Sequence, residues 1–201
     1  MKKNFNSALH KTLLVLILMN VFCFPVLSEK LTHISPYKFP QKGNMKCSIK
    51  PKFLRISQNE WCQILNATHT AVKKEGLSQK LGYKKAMSIM LGLIYKESSF
   101  RERVRGKAGE IGLTQIMPST GRFICKMNEN ELQNMSNNLN CSAKYINLLL
   151  SEDYFNKNLN DALMAYNQGW GNVKEGIIYD DDIRYVNLIV NEYSPIFMKN
   201  L

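Results

Sequence analysis

The chain has 201 residues and a formal net charge of +11 at pH 7, from 27 lysines and arginines against 16 acidic residues. A hydrophobic fraction of 45% is normal for a packed globular core. The body of the chain contains no apolar run of 18 residues, which excludes an internal membrane span.

Residues 1–28 have the pattern of a secretory signal peptide. A basic start without acidic residues is followed by an apolar run from Leu13 to Phe24, and Pro25 ends this run. We expect cleavage after Ser28; an uncleaved N-terminal anchor is the alternative, although the run is short for a membrane span. Lipid attachment at Cys23 is disfavoured, because lipidation requires a small residue where Phe22 stands.

The charge of the exported chain suggests an anionic partner. Removing the leader takes away three lysines and no acidic residue, so the net charge falls to +8. A basic surface attracts polyanions. Export argues against nucleic acid, whereas the peptide carboxylates and associated polymers of a bacterial wall lie outside the membrane. Such wall anions are therefore a candidate partner of an exported basic protein, although a basic surface can also serve solubility alone.

Four cysteines follow the leader: Cys47, Cys62, Cys125 and Cys141. An even number in an exported chain predicts disulfides, and of the three pairings we favour the local one, Cys47–Cys62 with Cys125–Cys141. There is no CxxC pair, and the only histidines after the leader are His33 and His69. We therefore expect no metal, no other cofactor and no histidine-activated nucleophile.

Residues 29–56 are predicted to form an extended basic arm with little core of its own. They contain three prolines, six lysines and Arg55, against the single acid Glu29. Cys47 would tie the end of this arm to a globular domain at 57–201. The arm could be a plain tether, or it could bind wall polymers or a protein partner.

Helical spacing of apolar residues dominates the domain. The first helix begins at Ser57, because Ser57-x-x-Glu60 has the capping-box pattern, and it ends at Gly76. Further helices are predicted at about 83–97, 119–126, 138–150, 160–167 and 181–193, with Asn160 as a cap and Ile183 on the stripe of the last one. Residues 104–116 are glycine-rich and predict a loop or short hairpin. The predicted fold is mostly α-helical.

Glu97 interrupts an otherwise apolar face. Positions 86, 90, 93 and 97 lie on one side of the second helix, and the first three are Ala86, Met90 and Leu93. A carboxylate at the end of a buried stripe is partly desolvated, which raises its pKa towards the range of a general acid. Pairing of Glu97 with Lys96 or Arg101 at a helix end is the structural alternative, and periodicity alone favours it.

Two later segments favour the catalytic interpretation. Gly106, Gly109 and Gly112 precede the sequence Leu-Thr-Gln-Ile-Met-Pro at 113–118, and glycines permit close approach of a ligand. The segment 165–170 then brings a phenol, an amide and a glycine-terminated helix together. Amides that bond hydroxyls and aromatic rings that stack on sugars suit an extended glycan.

These motifs, in this order and spacing, resemble the lytic transglycosylase SLT domain. They are Glu97-Ser98-Ser99-Phe100, Gly109-x-x-Gly112-Leu113-Thr114-Gln115-Ile116-Met117-Pro118, Ala165-Tyr166-Asn167-Gln168-Gly169 and a closing helix with Tyr185-Val186. The resemblance covers about residues 80–195. It implies a lysozyme-like α+β fold related to goose-type lysozyme, in which one globular helical domain carries a small loop or hairpin lobe beside the glycan cleft.

The resemblance also implies residue roles. Glu97 would be the acid/base, with Tyr166 hydrogen-bonded near it, and the substrate-binding set would be Ser99, Gln115, Met117, Tyr166 and Asn167. The sequence departs from the family pattern at Gly106, where serine is common, at Glu110, where a small residue is common, and at Thr114, where methionine is usual. These departures concern the shape of the groove.

The implied reaction is cleavage of the β-1,4 bond between N-acetylmuramic acid and N-acetylglucosamine, which leaves a 1,6-anhydro end. Glu97 alone would act as acid and then as base, although most glycosidases use two carboxylates. Glu110 could modify this chemistry by positioning a water, or it could be a solvated loop residue. The alternatives are a lysozyme-type hydrolase and a non-enzymatic, peptidoglycan-binding envelope-assembly protein.

The sequence indicates the biological role of the protein less clearly than its fold and its reaction. Small exported members of this family act with secretion systems or other envelope machinery, or in cell wall remodelling. We expect a monomer whose partner is the peptidoglycan glycan strand.

Overall fold

The computed structural model describes residues 47–151 and 153–201, so the predicted leader and residues 29–46 of the predicted arm lie outside the described residues. Within these ranges the chain is almost entirely helical, and its only β-type pairings are the isolated antiparallel bridges Arg105–Ile111 and Ile111–Ile116. No helix in this part of the chain is long and apolar enough to cross a membrane. The predicted mostly α-helical fold is confirmed.

The helices, in chain order, are α1 (Gln58–Lys74), α2 (Leu77–Leu81), α3 (Tyr83–Ser98), α4 (Pro118–Thr120), α5 (Glu129–Leu132), α6 (Met135–Leu149), α7 (Leu159–Gln168), α8 (Trp170–Lys174), α9 (Asp180–Asn187) and α10 (Ser194–Met198). Two of them continue as π-helix: α4 into Gly121–Cys125 and α9 into Leu188–Tyr193.

The start of α1 follows the predicted capping box. The Glu60 backbone N–H donates to Ser57 Oγ at 3.1 Å, and the Ser57 N–H donates to Glu60 Oε2 at 2.7 Å. Both bonds satisfy amide groups that the first helical turn leaves unpaired. Gly76, with φ of +78°, follows the end of the helix as predicted.

Helix α3 is the central element of the main core. Most of its side chains are buried, and it packs against α1, α2, α10 and the π-helical segment Leu188–Tyr193. Gly92 permits the last of these contacts, because a Cβ there would lie 3.2 Å from the Ile189 carbonyl oxygen. Packing from several elements therefore fixes α3, and with it the position of Glu97 in its last turn.

The chain before α1 is fastened to the main core. Cys47 forms a disulfide with Cys62 of α1, and the buried Trp61 donates its indole N–H to the Ser48 carbonyl at 3.1 Å. Leu54 is also buried in the core. Residues 47–56 of the predicted arm are thus part of the packed structure.

Several helix boundaries differ from prediction. Asn158, and not Asn160, caps α7, because its side chain accepts from the backbone N–H groups of residues 160 and 161. The last predicted helix extends as a π-helix and as α10 to Met198. Of the predicted stripe, Val186 and Ile189 are buried, whereas Ile183 is 55% exposed, so the prediction was wrong at Ile183 and omitted the buried Tyr185. Helices α2, α5, α8 and α10 were not predicted, because five residues or fewer cannot show a 3.6-residue period.

Residues 101–134 form a loop lobe that packs on α6. Its own small core consists of Ile111, Ile116, Cys125 and Leu132, together with Cys141 of α6, which forms a disulfide with Cys125. The segment 104–116 is a tight loop, in which the Ile111 and Ile116 backbones exchange hydrogen bonds of 2.9 and 3.0 Å. This agrees with the predicted loop or short hairpin.

Candidate active site

Glu97 lies half-buried in the last turn of α3, where the apolar stripe of the main core reaches a cavity. Burial raises the pKa of its carboxyl above the ordinary value. A hydrogen bond from Tyr185 and the charge of Lys96 oppose this effect, whereas the charge of Glu110 reinforces it. Desolvation is the largest of these causes, as the sequence pattern predicts. No ion pair fixes Glu97 in the part of the chain that the structure describes, so the alternative of pairing with Lys96 or Arg101 is not observed.

Tyr185 of α9 donates a short hydrogen bond from its hydroxyl to Glu97 Oε1. Burial, followed by the negative charge of Glu97, raises the pKa of this phenol well above its ordinary value, so the hydroxyl keeps its proton and acts as the donor. On the other side, Lys96 Nζ lies 5.1 Å from the centre of the Tyr185 ring. Tyr185 therefore fixes one carboxyl oxygen of Glu97.

The cavity in front of Glu97 has a volume of about 170 Å³. It is lined by residues of α3, the loop lobe, α6 and α7: Glu97, Glu110, Gln115, Ile116, Met117, Thr120, Tyr145, Tyr166 and Asn167. The structure thus brings together all the predicted site residues except Ser99. A mixture of carboxyl, amide, phenol and thioether groups suits a ligand that has both polar substituents and apolar ring faces.

Ser99 does not face this cavity. It follows the end of α3 with a left-handed φ of 52°, and it is exposed. Its backbone N–H donates to the Tyr95 carbonyl at 3.0 Å. Ser99 is not among the residues that line the cavity, and its role in supporting the site or contacting substrate stays a prediction.

Gln115 is held in place by the loop itself. Its backbone has a left-handed φ of 48°, and its side-chain Nε2 donates to the carbonyls of Gly112 and Val104 at 2.8 and 3.2 Å. Met117 follows on the same wall of the cavity and is 39% exposed. The loop therefore presents a fixed amide and a flexible apolar side chain, as the predicted groove requires.

Tyr166 lines the cavity together with Glu97, and its hydroxyl bonds groups other than the Glu97 carboxyl. It donates to the Thr114 carbonyl at 2.8 Å and pairs with Ser142 Oγ at 3.1 Å. Burial, and then the charge of Glu97, raises the pKa of this phenol. The partner of Glu97 is Tyr185, and Tyr166 joins α7 to the loop lobe.

A buried amide below the loop completes this connection. Asn138 Oδ1 accepts from Thr114 Oγ1 at 2.7 Å and from the Thr114 N–H at 3.0 Å, and its Nδ2 donates to the Ile111 carbonyl at 2.8 Å. Threonine in place of the usual methionine at 114 thus supplies a hydroxyl to a polar network. Gly112 is required beside it, because a Cβ there would lie 2.7 Å from Asn138 Nδ2.

Asn167 is exposed at the edge of the cavity and is anchored from α9. Its Nδ2 donates to Asp182 Oδ1 at 2.8 Å, and Asp182 Oδ2 accepts from the Tyr179 backbone N–H at 3.1 Å. Asp182 is buried, so its two oxygens are occupied by protein donors. This leaves the Asn167 carbonyl oxygen as the group that can accept from a ligand.

Glu110 faces the cavity from the loop lobe, and it fits there because residue 106 is glycine. A Cβ at Gly106 would lie 2.1 Å from Glu110 Oε2 and 2.8 Å from Gln115 Oε1. Glu110 Oε2 also accepts from the Ala108 N–H at 3.0 Å. The two departures from the family pattern are therefore coupled, because the glutamate at 110 occupies space that a side chain at 106 would take.

Sequence reasoning missed three residues that matter here: Tyr185, Tyr145 and Asn138. Tyr145 was assigned only to the core stripe of α6, yet it lines the cavity, and burial followed by the charge of Tyr154 raises its pKa to about 12. The Tyr185-Val186 pair was part of the resemblance, and this was the available signal for Tyr185. Among the described residues, no three histidine, cysteine or acidic side chains are placed to hold a metal ion.

Comparison with known proteins gives three findings. The transglycosylase SLT domain profile matches residues 77–187. The chain is 31% identical over 122 residues to the membrane-bound lytic murein transglycosylase C of Mannheimia succiniciproducens, covering 54% of this chain and 33% of that protein. An inactive glutamate-to-glutamine mutant of lytic transglycosylase Slt from Pseudomonas aeruginosa superposes with a TM-score of 0.51 at 24% identity, covering 65% of this chain and 24% of that one. The match thus spans about a third of the length of the first relative and a quarter of the second.

Proposed function

Because the chain belongs to the transglycosylase SLT domain family, we propose that it cleaves the peptidoglycan glycan strand non-hydrolytically, with Glu97 as acid and then base. The observation that carries this proposal is the desolvated Glu97 carboxyl, which accepts a hydrogen bond from Tyr185 and opens onto a cavity with fixed amide groups. A raised pKa increases the protonated fraction of the carboxyl at a given pH, which favours its use as a general acid.

The hydrogen bond from Tyr185 determines which oxygen carries the catalytic proton. Because Tyr185 donates to Oε1, the neutral carboxyl holds its own proton on Oε2. Oε2 then donates to the glycosidic oxygen as the bond to muramic C1 breaks, and the acetamide of the same sugar stabilises the positive charge at C1. The resulting carboxylate accepts the proton of the sugar 6-hydroxyl, whose oxygen closes the 1,6-anhydro ring. This internal nucleophile is already in place and gains from proximity.

The decisive test is Glu97→Gln. Glutamine preserves the acceptor for Tyr185 but cannot donate and recover a proton at this pH, so we expect purified protein to lose cleavage of isolated wall by at least about 100-fold. Circular dichroism should show the same helical content as the wild type. Full activity in the folded variant would refute the assignment and would favour a peptidoglycan-binding, non-enzymatic role.

A second candidate function, hydrolysis, is favoured by Glu110. Its carboxylate lines the same cavity as Glu97 and is anchored by the Ala108 N–H, so a water bound to it could compete with the 6-hydroxyl for the sugar. Retaining and inverting hydrolases use such a second carboxylate. This candidate predicts that wall digests contain reducing ends as well as anhydro ends.

Mass spectrometry of digested wall separates the two reactions, because a hydrolysed muramic end is one water heavier than a 1,6-anhydro end. Glu110→Gln should reduce the reducing-end fraction several-fold if Glu110 holds the water, while anhydro products persist. Glu102→Gln, an exposed change in the same lobe, is the matched control. An unchanged product ratio in Glu110→Gln would leave Glu110 as a structural partner of Gly106.

We further propose that the protein acts outside the cytoplasm, with 1–28 as a cleaved leader, 29–56 as a basic segment whose residues 47–56 pack on the domain, and 57–201 as the catalytic domain. Two disulfides support this location, since they persist in oxidising compartments. The substrate would be the glycan strand of the wall, met by a monomer in the periplasm or envelope, with secretion or other envelope machinery as the partner.

A further inference from the structure

A second cavity lies beside the first and shares a wall with it. Its volume is about 370 Å³, and it is lined by Lys96, Asn167, Asp181, Arg184, Tyr185 and Leu188. Asn167 lines both cavities. Tyr185 also connects them, because its hydroxyl bonds Glu97 while its ring lines the second cavity. The two cavities therefore adjoin at Asn167, on opposite sides of which the parts of one extended ligand would lie.

The second cavity contains two cations, Lys96 and Arg184, that form no ion pair within the described residues. Lys96 and Arg184 are both exposed, and neither lies within 4.0 Å of a carboxylate in the described part of the chain. Asp181 is the one acidic residue in the lining, and the neighbouring Asp182 is already bonded to Asn167 and Tyr179. The lining therefore has an excess of positive charge and free guanidinium and ammonium donors.

We propose that this second cavity binds a carboxylate of the peptide stem carried by the muramic acid of the substrate. The proposal rests on the proposed function, since a glycan in the first cavity is what brings the stem to the second. The sugar rings of the strand are uncharged, whereas the stem ends in carboxylates. A guanidinium presents parallel N–H donors that match the two oxygens of a carboxylate. Arg184 would therefore orient the stem carboxylate, and Lys96 would attract it by its positive charge.

The proposal makes this protein selective among wall strands. Strands with free stem carboxylates would bind more tightly than strands whose stems are amidated or removed. Asp181 would set the strength of this preference, because its negative charge opposes the bound carboxylate. Lys96 and Arg184 are binding residues in this account and take no part in the proton transfer.

Binding can be measured without cleavage by isothermal titration calorimetry, using the full chain with the substitution Glu97→Gln. The probes are a GlcNAc–MurNAc tetrapeptide with free carboxylates and the same fragment with its carboxylates amidated. We expect the free form to bind about tenfold more tightly, as a charge-assisted contact implies. Because residue 97 is glutamine in all these proteins, any effect of Lys96 on the acidity of Glu97 does not enter.

Three further variants in this background sharpen the test. Lys96→Gln with Arg184→Gln should reduce the affinity ratio of the two probes to near one. Asp181→Asn should raise the ratio a few-fold, an increase that misfolding cannot produce. Lys84→Gln with Lys85→Gln removes the same charge from exposed positions in the first turn of α3, about 18 Å from Lys96, and should leave the ratio unchanged.

Equal affinity for the two probes, no measurable binding of either, or an unchanged ratio in the Lys96 and Arg184 variant would overturn the proposal. Failure of the proposed function has a different signature: wild-type protein would not cleave wall, whatever the affinity ratio. The two hypotheses are thus decided by separate measurements.

Discussion

The main core and the loop lobe hold different walls of one cavity by different means. Helix α3 places Glu97 through apolar packing on several sides, and the burial that fixes this helix also raises the pKa of the carboxyl. The loop lobe has only a small core and holds Gln115 through backbone carbonyls and the buried amide of Asn138. The chemistry and the shape of the site therefore have separate supports, and variants can disturb one without the other.

The two disulfides provide the strongest test that the main core and the loop lobe support the site separately. Cys47–Cys62 and Cys125–Cys141 close loops of nearly equal length, with separations of 15 and 16 residues, so chain entropy predicts nearly equal stabilisation of about 3 kcal/mol each. Only the second lies beside the site, because Cys125 belongs to the core of the loop lobe and Cys141 precedes Ser142, the partner of Tyr166.

Replacing each pair by alanines should therefore give similar losses of stability in urea but different activities. At a temperature where both variants are folded, we expect the variant without Cys125–Cys141 to lose wall cleavage several-fold and the variant without Cys47–Cys62 to retain it. Equal losses of activity would mean that the lobe needs no fastening of its own and would contradict the separation of the two supports.

Two tyrosines permit a finer comparison, since each comes from a different support. Tyr185→Phe removes the hydrogen bond to Glu97, and Tyr166→Phe removes the bond to the Thr114 carbonyl. The bond from Tyr185 lowers the pKa of Glu97, so its loss should raise that pKa further. Because the proposed first step requires protonated Glu97, the alkaline limb of the kcat/KM profile should move to higher pH, with activity about tenfold lower at the optimum.

Tyr166→Phe is the matched control, because it removes the same hydroxyl from a residue of the same cavity. We expect lower activity from a looser loop, with the alkaline limb in its wild-type position. A pH profile that moves in Tyr166→Phe and stays fixed in Tyr185→Phe would contradict this assignment and would make Tyr166 the residue that controls the pKa of Glu97.

The same division explains what the sequence could and could not predict. Helix α3 was predicted within one residue, because burial of one face imposes a helical period on the chain. The bond between Tyr185 and Glu97 joins residues 88 positions apart, and no local pattern encodes it. The Asn138 network in the loop lobe is likewise non-local, since its partner Thr114 lies 24 residues away.

The contact between Gly106 and Glu110 was partly predictable from the sequence. Both positions were visible as departures from the family pattern, but their contact depends on a backbone turn, in which the Gly106 N–H donates to the Glu110 carbonyl at 2.9 Å. The sequence could indicate that the groove differs here. It could not indicate that the missing side chain at 106 is what admits the carboxylate at 110.

The smallest expected effect is the loss of folding stability that burial of Glu97 in the main core causes. Its folded pKa is raised above the ordinary value of 4.5, so the folded state keeps a proton that the unfolded chain has released. Stability is then unaffected well below pH 4.5, falls as the pH rises from there to the folded pKa, and stays lower above it. Glu97→Gln removes this loss, so the variant should be more stable than the wild type at pH 8 by about 1 kcal/mol.

Urea unfolding of both proteins between pH 4 and pH 8 checks this prediction, with Glu102→Gln as a control for removing an exposed negative charge. The advantage of Glu97→Gln should shrink towards zero on acidification, because both proteins are then neutral at residue 97. An advantage that is the same at every pH would come from packing and not from ionisation. In that case the main core would position Glu97 without making it a better acid, and its contribution to the site would be geometric, like that of the loop lobe.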